Sequence, residues 1–237
     1  MRKIKVKICG LKNREDVQLC INFRVNILGF VVDYPVAVPW NISSSETKLL
    51  IEMVSLPQRS CIVTGGRPEK VIGLASILRP SYVQLHYKET LMETTVISDA
   101  LKKMDIGVIK TVPLNLEERL FQFGTTDLKI IVESLCGTGI YALLADSRNP
   151  SNADKNGSEI DLDFCRQVMR YSSKPVITAG GITPENVSDF LEKTRSEFID
   201  IMSGVEKVPG IKDAEMLSTL LARVRKFQAP KKIPSKS

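Results

Sequence analysis

The sequence predicts an α/β protein folded as a single (β/α)8 TIM barrel, and three observations support this prediction. Eight short apolar runs alternate with amphipathic stretches from one end of the chain to the other. The runs are rich in valine and isoleucine and mostly apolar throughout, as expected of parallel strands buried on both faces. The 237 residues match the usual size of one such barrel. We expect a barrel domain over residues 1–227 and a basic, disordered tail over 228–237.

The predicted strands are 3–9, 26–32, 59–64, 81–86, 106–112, 141–146, 174–179 and 198–202. Helix-start signals fall between them, in the form of side-chain caps, a capping box and prolines at first helical positions. The residues that give these signals are Asn13, Ser43 with Glu46, Pro68, Asp161, Thr183 with Pro184, and Asp213. Segment 113–140 is too long for one helix, so we expect an additional helical segment there.

Composition and net charge limit the kinds of molecule that the protein is expected to bind. The net charge is +6, and half of that excess comes from the tail lysines Lys231, Lys232 and Lys236. No basic run interleaved with aromatic residues occurs in the body, so we expect no nucleic-acid partner. A mildly basic body suits an anionic small molecule, and we expect a phosphorylated substrate bound by a monomer or homodimer.

The five cysteines are odd in number and include no C-x-x-C pair, which favours reduced thiols and a cytoplasmic protein. No apolar run is long enough for a signal peptide or a membrane span, so we expect no membrane contact. The cysteines lack metal-ligand spacing, and the Gly-Thr-Gly at 137–139 lacks the rest of a dinucleotide fingerprint. We therefore expect no metal site and no dinucleotide site from these motifs.

In a barrel of this class the active site lies at the carboxyl ends of the strands. Lys7 and Cys9 share one face of the first strand, with Cys9 at its exit, and a nearby cation favours the reactive thiolate. The alternative is that Cys9 is a small buried apolar residue. Asp146 is the one acid in an apolar sixth strand, where a partly dry carboxyl can act as a general acid. A helix cap or a loop salt bridge is the alternative for Asp146.

Glycine-containing pairs mark two further strand exits. Gly180 and Gly181 close the seventh strand just before a helix, and Ser203 and Gly204 follow the eighth. Glycine lets backbone N–H groups approach an anion closely, and loops after strands 7 and 8 are the common phosphate site of this fold. Taken singly, each pair could be only a tight turn. The one histidine, His86, lies at the fourth strand exit without a partner histidine, so we expect a structural or substrate-lining role.

Together these segments resemble the phosphoribosylanthranilate isomerase family of tryptophan biosynthesis, from residue 5 to about residue 224. The likeness lies in "KICGLKNREDV", "LGFVVDYP", "VQLH", "VIKTV", "LLADS", "PVITAGGITPENV" and "IDIMSGVEKVPGIKD", in this order along the chain. The KICG start combined with the SGVE-x-x-PGIKD end is specific.

The resemblance implies a cofactor-free Amadori rearrangement. It makes Cys9 the general base and Asp146 the general acid, and it places the substrate phosphate on the amides near Gly180, Gly181, Ser203 and Gly204. Asp200, which alternation points inward with Met202, would contact the sugar. The residues expected to line the substrate site are Lys7, Trp40, Arg67, His86 and Asp200.

The sequence departs from the family pattern at three places. Trp40 stands where the family carries an arginine that pairs with the anthranilate carboxylate, and Asp33 nearby would repel that group. A glycine-rich stretch after the sixth strand is replaced by "NADKNGSEID", and Tyr87 follows His86 where glycine is usual. Arg67 or Arg148, and less strongly Lys155, could supply a cation from neighbouring loops.

Three functions therefore stay open at this point. The first is isomerisation of phosphoribosylanthranilate with a rearranged carboxylate site. The second is a paralogous isomerase for another ribosyl phosphate, with Trp40 stacking on a different aglycone. The third is a non-catalytic phosphate-ligand binder on the same barrel. The related histidine-pathway isomerase uses two aspartates, whereas this chain has Cys9 at the position of the base.

Overall fold

The computed structural model describes residues 3–147 and 161–228. Its main sheet is a closed barrel of eight parallel strands, and each lies within the segment that the sequence predicts. They are β1 (Lys5–Ile8), β2 (Ile27–Val32), β3 (Arg59–Thr64), β4 (Tyr82–Leu85), β5 (Gly107–Val112), β6 (Ala142–Asp146), β7 (Val176–Ala179) and β8 (Phe198–Ile201). The predicted fold class is confirmed.

Strand pairing runs around the barrel in chain order and closes where β1 pairs with both β2 and β8. At the closure Lys7 is in register with Asp200 on one side and with Ile27 on the other. Two smaller elements extend this frame. Asn41–Ile42 pairs with the end of β2, and Glu206–Val208 forms an antiparallel hairpin with Ile211–Lys212 after β8. Both lie near the strand ends that form the site.

The helices pack outside the barrel. They are α1 (Arg14–Asn22), α2 (Ser44–Ile51), α3 (Pro68–Leu78), α4 (Leu91–Lys102), α5 (Leu116–Phe123), α6 (Leu128–Cys136), α7 (Leu162–Tyr171), α8 (Val187–Thr194) and α9 (Ala214–Gln228). The additional helical segment predicted within 113–140 is present, since both α5 and α6 follow β5. The capping box of Ser43 and Glu46 is also present.

The predicted start of α8 is wrong. The sequence places the cap at Thr183 with Pro184 as the first helical residue, whereas the helix begins at Val187. The side chain of Asn186 explains the difference, because its Oδ1 accepts a hydrogen bond from the Thr183 amide and its Nδ2 donates to the Gly181 carbonyl. These bonds hold residues 183–186 in a turn that belongs to the loop after β7.

Two apolar layers fill the molecule. The barrel interior contains Ile27, Cys61, Ile109, Ala142, Leu144, Ile177, Ala179 and Phe198. A larger layer lies between the strands and the helices. All five cysteines are free thiols. Within residues 3–147 and 161–228, no helix combines the length and the apolar character needed to cross a bilayer. Apart from position 228, the predicted tail lies outside the described residues.

Candidate active site at the barrel mouth

A buried ion pair lies at the bottom of the site, inside the barrel. The Nζ of Lys7 lies 2.6 Å from the Oδ2 of Asp200, and both side chains are almost wholly shielded from solvent. Strand alternation points both of them into the barrel. The second oxygen of Asp200, Oδ1, is buried and has no hydrogen-bond partner in the described part of the chain. A buried carboxylate oxygen of this kind is suited to accept a hydrogen bond from a bound molecule.

Cys9 lies two residues after Lys7 in the sequence and directly follows the last residue of β1. Its side chain is buried, and it forms a small apolar cluster with Val31 and Val63. Burial raises the pKa of the Cys9 thiol above its ordinary value, whereas the Lys7 charge lowers it less and the Asp200 charge raises it further. The sequence-based prediction gave the Lys7 effect the right direction. It missed that burial outweighs this effect, so the thiol form predominates at neutral pH.

Asp146 and His86 face each other across the mouth of the barrel, which is its opening at the carboxyl ends of the strands. The Nε2 of His86 lies 3.9 Å from the Oδ2 of Asp146, and the two side chains are 22% and 24% exposed. The Nδ1 of His86 is 2.9 Å from the Nε2 of Gln84. Burial, followed by the charges of Lys7 and Lys110, lowers the pKa of His86 to about 4. His86 is therefore neutral at pH 7, so it can line the site and donate or accept a hydrogen bond.

The two glycine loops pack against each other. Gly180 and Gly181 have φ angles of +103° and +68°, in the left-handed region that favours glycine. A Cβ on Gly204 would lie 1.8 Å from the carbonyl oxygen of Ile182, so the loop after β8 approaches the loop after β7 without a side chain between them. Ser203 is exposed and the three glycines are half-buried. The four predicted phosphate-site residues thus come together at the mouth.

Trp40 reaches the mouth from the loop after β2. It packs on the cluster of Cys9, Val31 and Val63, and its Nε1 donates to the two carboxylate oxygens of Glu206 at 2.9 and 3.2 Å. The Oε1 of Glu206 is also 2.6 Å from the Nζ of Lys212, and that pair is buried. Trp40 therefore lies against the apolar cluster that contains Cys9.

The candidate cations are less centrally placed. Arg67 is exposed and precedes the first residue of α3, at the same end of the barrel but outside the ion-pair network. Arg148 and Lys155, together with most of the "NADKNGSEID" segment, lie outside the described residues. Asp33 has a φ of +42°, and its carbonyl accepts a hydrogen bond from Lys70.

Sequence reasoning missed two buried lysine–glutamate pairs near the mouth. One is Lys212 with Glu206. The other is Lys110 with Glu89, whose charged atoms are 3.0 Å apart. Each glutamate follows a predicted strand exit by a few residues, which was an available signal. The partner lysine could not be chosen without the closed barrel.

A closed eight-stranded barrel with its ionisable side chains gathered at the strand ends defines the class of (β/α)8-barrel enzymes. The sequence model of the family described as N-(5'phosphoribosyl)anthranilate (PRA) isomerase matches residues 6–223. The chain belongs to this family of isomerases.

Individual relatives are consistent with this family membership. The chain is 30% identical to N-(5'-phosphoribosyl)anthranilate isomerase 1 of Methanosarcina mazei, with 94% of this chain and 95% of the relative covered. It is similar to the crystal structure of phosphoribosyl anthranilate isomerase from Thermus thermophilus, with 27% identity, a TM-score of 0.73, and 94% and 99% of the two chains covered. A further solved structure, at 23% identity and a TM-score of 0.73 over 94% and 99% of the chains, is of such an isomerase in complex with reduced 1-(o-carboxyphenylamino)-1-deoxyribulose 5-phosphate.

Proposed function

We propose that the protein catalyses the Amadori rearrangement of N-(5-phosphoribosyl)anthranilate to 1-(2-carboxyphenylamino)-1-deoxyribulose 5-phosphate, a step of tryptophan biosynthesis that needs no cofactor. The observation that carries this proposal is the mouth itself. It combines a thiol, a carboxyl group and two interlocked glycine loops at one end of a barrel whose family is known. In the proposed reaction they act, in that order, as the base, the acid and the phosphate-binding site that the rearrangement of a ribosyl phosphate requires.

In the proposed mechanism Asp146 is the general acid. Its carboxyl proton goes to the ring oxygen of the furanose while the C1′–O bond breaks and the nitrogen lone pair forms the protonated Schiff base. Cys9, as thiolate, then removes the C2′ proton, and the electrons of that C–H bond form the C1′=C2′ double bond of an enolamine. Tautomerisation of the enolamine gives the ketone. No electrons are gained or lost overall, so no redox partner is required.

The rest of the mouth binds and orients the sugar phosphate. The phosphate would lie on the backbone amides near Gly180, Gly181, Ser203 and Gly204, where glycine permits close approach. The Oδ1 of Asp200 would accept a hydrogen bond from a sugar hydroxyl, because it is buried without another partner among the described residues. Lys7 favours the ionised form of Asp200 for that contact, since it lies 2.6 Å away and its charge opposes the larger rise that burial causes in the Asp200 pKa.

The base role of Cys9 has a consequence for the pH dependence. Because burial raises the pKa of its thiol, only a minor fraction of Cys9 is thiolate at neutral pH. The active form needs this thiolate together with a protonated Asp146, so kcat/KM should follow a bell-shaped pH profile whose alkaline limb reflects a thiol pKa above the ordinary value. Cys9→Ser should lower kcat by about 10²- to 10⁴-fold and shift this alkaline limb. Asp146→Asn should lower kcat by a similar factor.

The matched control is Cys136→Ser, which changes a half-buried thiol on α6 and should leave the rate unchanged. Complementation of a tryptophan auxotroph that lacks this step separates the proposed substrate from another ribosyl phosphate. Full turnover by Cys9→Ser would refute the mechanism. Failure of the wild-type protein both to complement and to turn over phosphoribosylanthranilate would refute the function.

A further inference from the structure

The loop after β2 brings Trp40 against the apolar cluster of Cys9, Val31 and Val63, which we call the Cys9 cluster. The indole also lies over Gly10, the residue that follows Cys9, because a Cβ on Gly10 would be 2.7 Å from the Cδ1 of Trp40. Cys9 is 4% exposed, whereas Trp40 is half-buried. The indole is therefore one of the side chains that separate the thiol from solvent.

The indole is fixed by a side chain from another loop. Its Nε1, which is the one donor of the ring, donates to both carboxylate oxygens of Glu206 at 2.9 and 3.2 Å. Glu206 is the first residue of the hairpin after β8. Since β1 lies between β2 and β8 in the barrel, these hydrogen bonds join two loops across the carboxyl end of β1. We call this contact the Trp40–Glu206 link.

Glu206 is itself held by a buried charge pair. Its Oε1 is 2.6 Å from the Nζ of Lys212, and the two side chains are 4% and 0% exposed. The Nζ of Lys212 also donates to the carbonyl of Met202 at 3.1 Å. The backbone amide of Lys212 donates to the Oδ2 of Asp16 on α1 at 3.0 Å. The hairpin is thus anchored to the end of β8 and to α1, so Glu206 holds the indole from a fixed position.

Shielding from solvent changes the chemistry of the Cys9 thiol. Burial is the largest cause of its raised pKa, and the charges that act on it come from Lys7 on β1, Asp200 on β8 and Lys212 in the hairpin. A thiolate removed from water is a stronger base than a hydrated one. A thiol that solvent reaches is instead open to alkylation and oxidation. A group that removes a proton from carbon benefits from being shielded.

We propose that Glu206 is a positioning residue for Cys9: through the indole N–H of Trp40 it holds the loop after β2 against the Cys9 cluster and keeps water away from the thiol. The benefit to catalysis rests on the proposed function, in which Cys9 is the base. The shielding itself is measured without turnover.

Alkylation by iodoacetamide, followed by mass spectrometry, measures the shielding of Cys9. Cys136, a half-buried thiol on α6, is the reference within the same molecule. Trp40→Phe keeps an aromatic ring, removes the N–H and leaves Glu206 paired with Lys212. It should speed the alkylation of Cys9 by about 10- to 100-fold, as expected for the loss of a hydrogen bond to a charged group, without changing that of Cys136. A rate within about twofold of the wild type overturns the inference, as does equal acceleration of both thiols.

The Trp40–Glu206 link can also be removed from the side of the hairpin. Glu206→Ala with Lys212→Met does this and leaves neither charge of the pair buried alone. This double variant should speed the alkylation of Cys9 by the same factor as Trp40→Phe, and all three changes together should add nothing, because both sets break one link. Factors that multiply overturn the inference. Val36→Ala, at an exposed residue of the loop after β2, is the matched control and should leave the wild-type rate.

The pH dependence of turnover connects the shielding with the role of Cys9 as base. Trp40→Phe keeps the charges of Lys7, Asp200 and Lys212, so the alkaline limb of kcat/KM should move to lower pH because the thiol becomes less buried. Faster alkylation with an unmoved limb overturns the positioning role. Failure of the proposed function would look different. The wild type would then not turn over phosphoribosylanthranilate, while the difference in alkylation between the wild type and Trp40→Phe would persist.

Discussion

The buried pair of Lys110 and Glu89 gives the sharpest prediction for stability. Their charged atoms are 3.0 Å apart, and the side chains are 1% and 0% exposed. Glu89 also accepts hydrogen bonds from the amides of Gly66 at 3.0 Å and Tyr87 at 3.3 Å. One carboxylate therefore joins β5 to the loops that follow β3 and β4. We expect Glu89→Gln to destabilise the protein strongly, since it leaves the Lys110 ammonium buried without its counter-charge.

The size of the effect follows from this geometry. At 3.0 Å and an effective dielectric constant of about 20, the Coulomb attraction is roughly 5–6 kcal/mol. Desolvation offsets much of that attraction in the intact pair, but removal of one partner typically costs about 3–5 kcal/mol. For a chain of this length each kcal/mol lowers Tm by about 2–4 °C, so Glu89→Gln should lower Tm by about 6–20 °C.

Urea unfolding and thermal unfolding measure this difference, with Glu133→Gln as the matched control. Glu133 makes the same kind of pair with Lys129 on α6, but the distance is 3.9 Å and the side chains are 56% and 60% exposed. Its loss should cost about 0–1 kcal/mol. The double variant Glu89→Gln with Lys110→Met should recover part of the stability, because no buried charge remains. Equal destabilisation by Glu89→Gln and Glu133→Gln would refute this reasoning.

Two further predictions concern the mouth. Gly204→Ala should weaken binding of ribose 5-phosphate and lower stability, because its Cβ would meet the Ile182 carbonyl at 1.8 Å. The control is Gly73→Ala in α3, whose Cβ would meet nothing within 4 Å and which should stabilise the protein by about 0.5–1 kcal/mol. His86→Gln should alter the pH dependence of urea unfolding. Burial lowers the pKa of His86 to about 4. As pH falls below about 6.5, the histidine therefore takes up a proton in the unfolded chain before it does so in the folded protein. The free energy of unfolding of the wild type should decrease by at most about 3 kcal/mol by pH 4. His86→Gln should lack this decrease. If the wild type and the variant show the same pH dependence of urea unfolding, His86 does not have a lowered pKa in the folded protein.

Local signals in the sequence were sufficient to predict much of the fold. Strand runs and the capping box of Ser43 with Glu46 depend on neighbours in the chain, so propensity and pattern reveal them. The start of α8 was wrong because two local signals compete there. Thr183 and Pro184 form a standard helix start, yet the Asn186 side chain binds the Thr183 amide and the Gly181 carbonyl. Sequence pattern alone does not decide between them.

The partners within the site were beyond sequence reasoning. Lys7 and Asp200 are 193 positions apart, and Trp40 and Glu206 are 166 apart. These contacts exist only because the barrel closes and brings the hairpin after β8 beside the loop after β2. The rise in the Cys9 pKa has the same origin. The position of Lys7 beside Cys9 could be inferred from alternation, but the burial that outweighs its charge is a property of the folded barrel.

The placement of the charge pairs indicates what they are for. In the described part of the chain, the pairs on the helices, such as Lys129 with Glu133, are exposed, whereas three lysine–carboxylate pairs are buried, and each borders the mouth. A buried pair adds little net stability over an apolar pair of similar volume, so stability alone does not account for this distribution. Each pair instead fixes something that the proposed site uses: the Asp200 carboxylate, the loops after β3 and β4, or the indole of Trp40. The double variant Glu89→Gln with Lys110→Met, which keeps an acceptor oxygen for the amides of Gly66 and Tyr87, should therefore recover part of the stability while it changes KM and kcat.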